Sequence, residues 1–118
     1  MDALIEQLPK SGQIQLTIQV SAQFNYSAPA ARQRVSRFVA DEIGYLLRAG
    51  EPTLAVSGRM FWRVPVIFAT PDAGPLGEVG AIDVDVETGQ IAVTPEQVIA
   101  ISRHAEDLAN AHAARSAP

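Results

Sequence analysis

Three acids, Asp83, Asp85 and Glu87, alternate with Val84 and Val86. On an extended chain a two-residue period turns such carboxylates to one side at intervals of about 7 Å. Carboxylates grouped this way can hold Mg²⁺ or divide acid and base work between them. Cation sites, however, also gather oxygens from turns, and plain strand alternation with valines yields the same pattern as a solvated face. The solvated face is therefore expected. Asp83 and Asp85, with the neighbouring Trp62 and Arg63, are the residues that would touch a ligand or partner. No catalytic set, metal site or cofactor is implied.

The remaining candidates are weaker. His104 and His112 lie eight residues apart, which on a helix separates them by about 12 Å along the axis and about 80° around it, too far to share a metal ion. There is no HExxH pattern, and no serine occupies the elbow motif that a Ser-His-Asp triad would need. Gly74, Gly77 and Gly80 spell GxxGxxG, neither a dinucleotide fingerprint nor a phosphate loop. They fall between strands rather than ahead of a helix, so flexible hairpin geometry is the expected reason for them. Arg32, Arg34 and Arg37 crowd the first turns of a helix, where each positive charge opposes the macrodipole by roughly a few tenths of a kcal/mol. With Arg59, Arg63 and the Phe61-Trp62 pair they would suit a phosphate or a carboxylate-bearing partner. One lysine and a net charge of -4 do not favour nucleic acid.

The elements that must position these residues follow from periodicity. Gln13 to Phe24 alternates apolar and polar residues and predicts a long, half-buried strand. Val35, Phe38, Val39, Ile43, Leu46 and Leu47 recur at helical spacing, predicting a helix from about Ala30 to Ala49 that stops at Gly50 and Pro52. Gly44 inside it is expected to permit close approach to the sheet. Thr53 to Ser57 reads as a short strand, Gly58-Arg59 as a turn and Met60 to Ala69 as a longer strand, with Met60, Trp62, Val64, Val66 and Phe68 on the core face. Pro65 on the other face predicts an edge or a bulge. Thr70 to Gly77 is expected to be a loop, Ile82 to Glu87 a strand, Thr88-Gly89 a turn and Ile91 to Val93 a short strand. A loop centred near Gly74 would set Trp62 against Val86 and Arg63 against Asp85, predicting an outer-face ion pair of Arg63 with Asp85 or Asp83. Thr94, Pro95, Glu96 and Gln97 form a helix start with a capping box, and that helix should run to about Ala113 with Val98, Ile101, Ala105, Leu108 and His112 on its apolar side.

The fold class is thus α+β: an antiparallel sheet of four to five strands with two helices, in the order β-α-β-β-β-(β)-α. Residues 1–118 form a single domain whose ends, 1–12 and 114–118, are expected to be poorly ordered. The absence of cysteine excludes disulfide frameworks, thiolate metal sites and cysteine nucleophiles. The opening residues do not read as a secretory signal, and Val64 to Thr70 is far too short to cross a bilayer, so the expectation is a cytoplasmic protein without a membrane role. Charge is uneven. From Arg32 to Arg63 six arginines face three acids, a net of +3, whereas from Val64 onward two arginines face eight acids, a net of -6. The halves can neutralise each other on folding or offer a surface to a charged partner.

Trp62-Arg63-Val64-Pro65-Val66, followed by Ile82-Asp83-Val84-Asp85-Val86-Glu87-Thr88-Gly89-Gln90-Ile91, resembles the strand-turn-strand signature of PepSY-like domains. The resemblance covers about a third of the chain. It implies a helix packed on an antiparallel sheet and a regulatory, accessory or protease-inhibiting role, with no catalytic residues to carry over. The expected function is a non-enzymatic interaction or regulatory module with a protein partner, a homodimer built on the free edge of the Gln13 to Phe24 strand. Two alternatives stand beside it: an antitoxin-like neutralising member of a two-protein pair, and a small-ligand-binding protein or enzyme with a site near Trp62 and Arg63.

Overall fold

The computed structural model describes Gly12, Gln19 and residues 21–116. It shows an α+β fold of two helices and a five-stranded antiparallel sheet: α1 (Ala28–Glu42), β1 (Leu47–Ala49), β2 (Thr53–Ser57), β3 (Arg59–Thr70), β4 (Gly74–Asp85), β5 (Ile91–Ala92) and α2 (Pro95–Ser116). Most of the predicted strand Gln13 to Phe24 lies outside the described residues. Its last four, Ser21 to Phe24, belong to no strand.

Helix α1 starts where Ser27 accepts a hydrogen bond from Ala30 N, and it ends seven residues before the predicted stop. Leu46 and Leu47 satisfy helical spacing, but Leu47 and Ala49 are buried around an exposed Arg48, which is a strand's alternation. Pairing with Phe68, Ile67 and Val66 of β3 gives that segment its backbone partners. Gly44 accordingly sits in the turn after the helix, where an added Cβ would meet only Leu47 at 3.8 Å, so it permits no close approach to the sheet.

β1 and β2 lie end to end along one side of β3, and β4 lies on the other. Pro65 is therefore in the central strand rather than on an edge. It is tolerated because it faces the gap between β1 and β2, where its carbonyl accepts from Gly50 N at 2.8 Å and a missing N–H leaves no ladder bond unmade.

The predicted Thr70 to Gly77 loop is instead a tight turn centred on Asp72, with β4 already begun at Gly74. Two bulges, after Val66 and after Phe68 on β3, each place one extra residue in β4, Val79 and Leu76. Together these set Trp62 against Val84, Arg63 against Asp83 and Phe61 against Asp85, a two-residue shift from the expected register. The ion pair of Arg63 is with Asp83.

Both helices cover one face of the sheet. Ala31, Val35 and Val39 of α1 join Val64, Val66, Ile82 and Val84 in the core, and Ile101 of α2 joins them from above β4. α2 is capped as its sequence predicts: Thr94 Oγ1 accepts from Gln97 N, and Gln97 Oε1 accepts from Thr94 N. Gly77 and Gly80 lie within β4 beneath this helix, not in a hairpin loop. A Cβ on Gly80 would fall 2.6 Å from Ile101 Cγ1, and one on Gly77 would fall 3.2 Å from Leu108 Cδ1. Their lack of a side chain is what lets α2 lie close to the strand.

Candidate functional site

The three alternating acids do not act as a set. Asp83 holds Arg63 through two hydrogen bonds, 2.9 Å from Nε to Oδ1 and 3.0 Å from Nη2 to Oδ2. The Asp83 carboxylate, reached first by hydrogen bonding and then by charge, holds the guanidinium of Arg63 above its ordinary pKa. Arg63 is exposed, so the pair contributes under about 1 kcal/mol.

Asp85 departs from the expected solvated face: only 5% of it is exposed. Its Oδ1 accepts from the backbone N–H of Glu87 at 2.8 Å and of Thr88 at 3.1 Å, and Arg59 approaches Oδ2 at 3.5 Å. The carboxylate thus closes the β4–β5 turn in the manner of an Asx turn. Burial is the largest single influence and would raise its pKa. The two amides and Arg59 together outweigh burial and hold the carboxyl below the ordinary range. Glu87 lies past the end of the strand, and its Oε1 accepts from Gln23 N at 3.0 Å. Each acid has its own neighbour, and among the described residues no three His, Asp or Glu side chains gather as metal ligands.

Trp62 is across the sheet from Arg63, as strand alternation requires. Its Nε1 donates to Tyr26 O at 2.7 Å, and Phe24 packs edge-on at 6.0 Å between ring centroids. Of the four residues singled out from sequence, the structure therefore joins Arg63 to Asp83, engages Asp85 in a turn and gives Trp62 to the segment that leads into α1.

No family model, curated protein or solved structure matches this chain.

The histidines are also apart. His104 Nδ1 lies 3.2 Å from Val79 O, and His112 Nε2 lies 3.2 Å from Asp72 Oδ2 at the β3–β4 turn. Two of the three arginines of α1 have partners that offset the dipole conflict: Arg32 reaches Ala49 O and Glu51, while Arg34 donates to Gly89 O at 3.2 Å and stands 4.7 Å over the Tyr26 ring. Tyr26 lies directly on Gly89, whose φ of 73° and lack of a Cβ are both required, since a Cβ would fall 2.4 Å from the ring.

Two features escape the sequence reading. One is a surface hollow of about 560 Å³ beside this stack, lined by Tyr26, Gln33, Arg34, Arg37, Phe38 and Ile91 among others. The other is the apolar exposure of strand β2, whose position the sequence does predict. Leu54 and Val56 are each 47% exposed, and Leu54 pairs with Trp62, against which the 51% exposed Phe24 packs. The signal for it was the run Thr53-Leu54-Ala55-Val56-Ser57, which holds no charge and no proline.

Among the described residues no helix is long and apolar enough to cross a membrane.

Proposed function

We propose that this chain is a non-enzymatic, cytoplasmic protein-interaction module that takes an extended segment of a partner onto the outer edge of β2, which pairs with no other strand among the described residues. The observation that carries the reading is the character of that edge. Strands on sheet borders are normally blunted by charge, proline or a bulge, and Thr53–Ser57 has none of these. Its backbone groups are also in phase for strand addition. Met60 O accepts from Val86 N, so Met60, Trp62 and Val64 turn their polar groups to β4 while Phe61 and Arg63 turn theirs to β2. The opposing phase in β2 leaves the N–H and C=O of Leu54 and Val56 directed outward, with Leu54 beside Trp62 and Val56 beside Met60. Main-chain bonds supply affinity in such binding and alternate side chains supply selectivity. The likeness to PepSY-like domains, carried by the Trp62 to Val66 and Ile82 to Ile91 segments, agrees with a regulatory role.

The test is a titration of labelled peptides whose residues alternate apolar and polar, followed by anisotropy and by Trp62 fluorescence. Saturable binding that is lost in the Leu54→Lys/Val56→Lys variant is expected. Failure of every such peptide to bind a chain whose Leu54 and Val56 amides exchange freely with solvent would count against the reading.

A second reading rests on the hollow beside Arg34 and Arg37. Two guanidinium groups and no carboxylate line it, with Phe38 and Ile91 as an apolar wall, which suits a small anion carrying an apolar body. A thermal-shift series of aromatic and aliphatic carboxylates tests it, with Arg37→Gln expected to abolish any stabilisation found.

A further inference from the structure

Resting on the strand-addition reading above, we infer that the partner of β2 is a second copy of this chain, joined antiparallel about a two-fold axis through Ala55. The register follows from which backbone groups are free. Only Leu54 and Val56 direct both polar groups outward, so a bonded pairing must set these residues opposite each other. Centring on Leu54 would place Val56 against Pro52, which has no N–H to donate. Centring on Val56 would place Leu54 against Gly58, beyond the end of the strand, where φ is 68°. Centring on Ala55 sets Leu54 against Val56 of the partner copy and Val56 against its Leu54, so every outward group finds a mate.

The side chains agree with that register. Leu54 meets Val56 of the partner copy on the helix-bearing face, which brings the two exposed apolar strips together across the axis. On the opposite face Ala55 meets its own symmetry mate in a non-hydrogen-bonded pair, where Cα atoms approach to about 4.5 Å and a methyl group is easily accommodated. Charge agrees as well. β2 is preceded by Glu51 and followed by Gly58-Arg59; Glu51 also meets Arg32 and Arg59 stands 3.5 Å from Asp85, but the Glu51 and Arg59 side chains are both largely exposed, so an antiparallel arrangement carries the acidic end of each copy toward the basic turn of the other. A two-fold interface must be self-complementary in this sense. A foreign strand would have no reason to match the edge at Leu54, Ala55, Val56 and both charged ends together.

The chain contains no cysteine, so an introduced thiol reports on one contact alone. The Cα separation expected at Ala55 lies within disulfide range. In full-length protein under mild oxidation, Ala55→Cys should convert most chains to a disulfide-linked dimer. Thr53→Cys alone should not, but mixed with Ser57→Cys it should give the mixed dimer. Light scattering of the unmodified chain at micromolar concentration should give twice the 12.6 kDa chain mass, and Leu54→Lys/Val56→Lys should return it to one. That variant's melting profile shows whether it remains folded, and Leu54→Lys/Val56→Glu, which sets unlike charges opposite only in this register, should recover dimer. A dimer that survives both lysines, or one in which Ala55→Cys fails to cross-link, overturns the proposal. A chain that stays monomeric overturns it too. If alternating peptides still bind that monomer through β2, the strand-addition reading survives; if they do not, both fall.

Discussion

Replacing Asp85 tests the view that this acid organises a turn rather than a reaction. In Asp85→Ala the amides of Glu87 and Thr88, 2.8 and 3.1 Å from Oδ1, both lose an ionised acceptor. Hydrogen bonds to charged groups contribute about 1.5 to 3 kcal/mol each, and both residues are exposed enough for water to replace part of that, so a net loss of about 2 to 4 kcal/mol is expected. At this chain length that corresponds to a fall in Tm on the order of 10 to 20 °C. Asp85→Asn keeps an acceptor oxygen without the charge and should lose about half as much. The pH dependence has a definite sign. The folded carboxyl lies below its ordinary pKa, so its stabilisation is complete above the unfolded value near about 4 and disappears as pH falls through the folded value. Urea denaturation of both variants and the parent, followed by circular dichroism from neutral pH down through this window, measures the effect. The gap between parent and Asp85→Asn should close on the acid side. An Asp85→Ala protein as stable as the parent at neutral pH, or a gap that ignores acid, would refute the account.

Two further outcomes follow from the packing. Gly80→Ala should destabilise by about 1 to 3 kcal/mol, because its Cβ would stand 2.6 Å from Ile101 Cγ1 in a filled core. Thermal melts of Gly80→Ala, Ile101→Ala and the double variant should show the pair to be coupled by more than about 0.5 kcal/mol, whereas additive losses would contradict the contact. Arg63→Gln and Asp83→Asn should each shift stability by less than about 1 kcal/mol, since the pair is exposed, and raising salt should narrow even that difference. A larger, salt-insensitive loss in either melt would show that the outer face has a role not described by this pairing.

The sequence exposed those features whose cause is local. The capping box at Thr94 and Gln97, the Thr88-Gly89 turn, the core face Val64, Val66 and Phe68 and the partnership of Arg63 with an acid all come from residues near each other or from simple alternation. Features set by contacts distant along the chain were hidden. Leu47 fits a helical stripe until Phe68 is known to lie beside it. Gly77 and Gly80 look like loop glycines until α2 is placed on them. The turn is centred on Asp72 rather than Gly74, and the bulges at Leu76 and Val79 recover only half of that displacement; neither can be read from alternation, so the register expected for Asp85 missed by two residues. For the site the balance is similar. Arg63, Asp83 and Trp62 were recognisable as marked residues, yet their partners distinguish an ion pair from a buried anchor. The uncharged β2 edge could have been noticed in Thr53 to Ser57, but that no described strand pairs with its outer side is a fact of topology.

The route of the chain into α1 has a mechanical corollary. Asn25 N and Tyr26 N both donate to Val86 O, the Asn25 amide donates to Glu87 O, and Tyr26 O is held by Trp62. Tension arriving from the amino-terminal side would thus be taken up in shear by the β4–β5 corner before it could unwind the first turn of the helix. A tether attached upstream should leave α1 intact until that corner gives way.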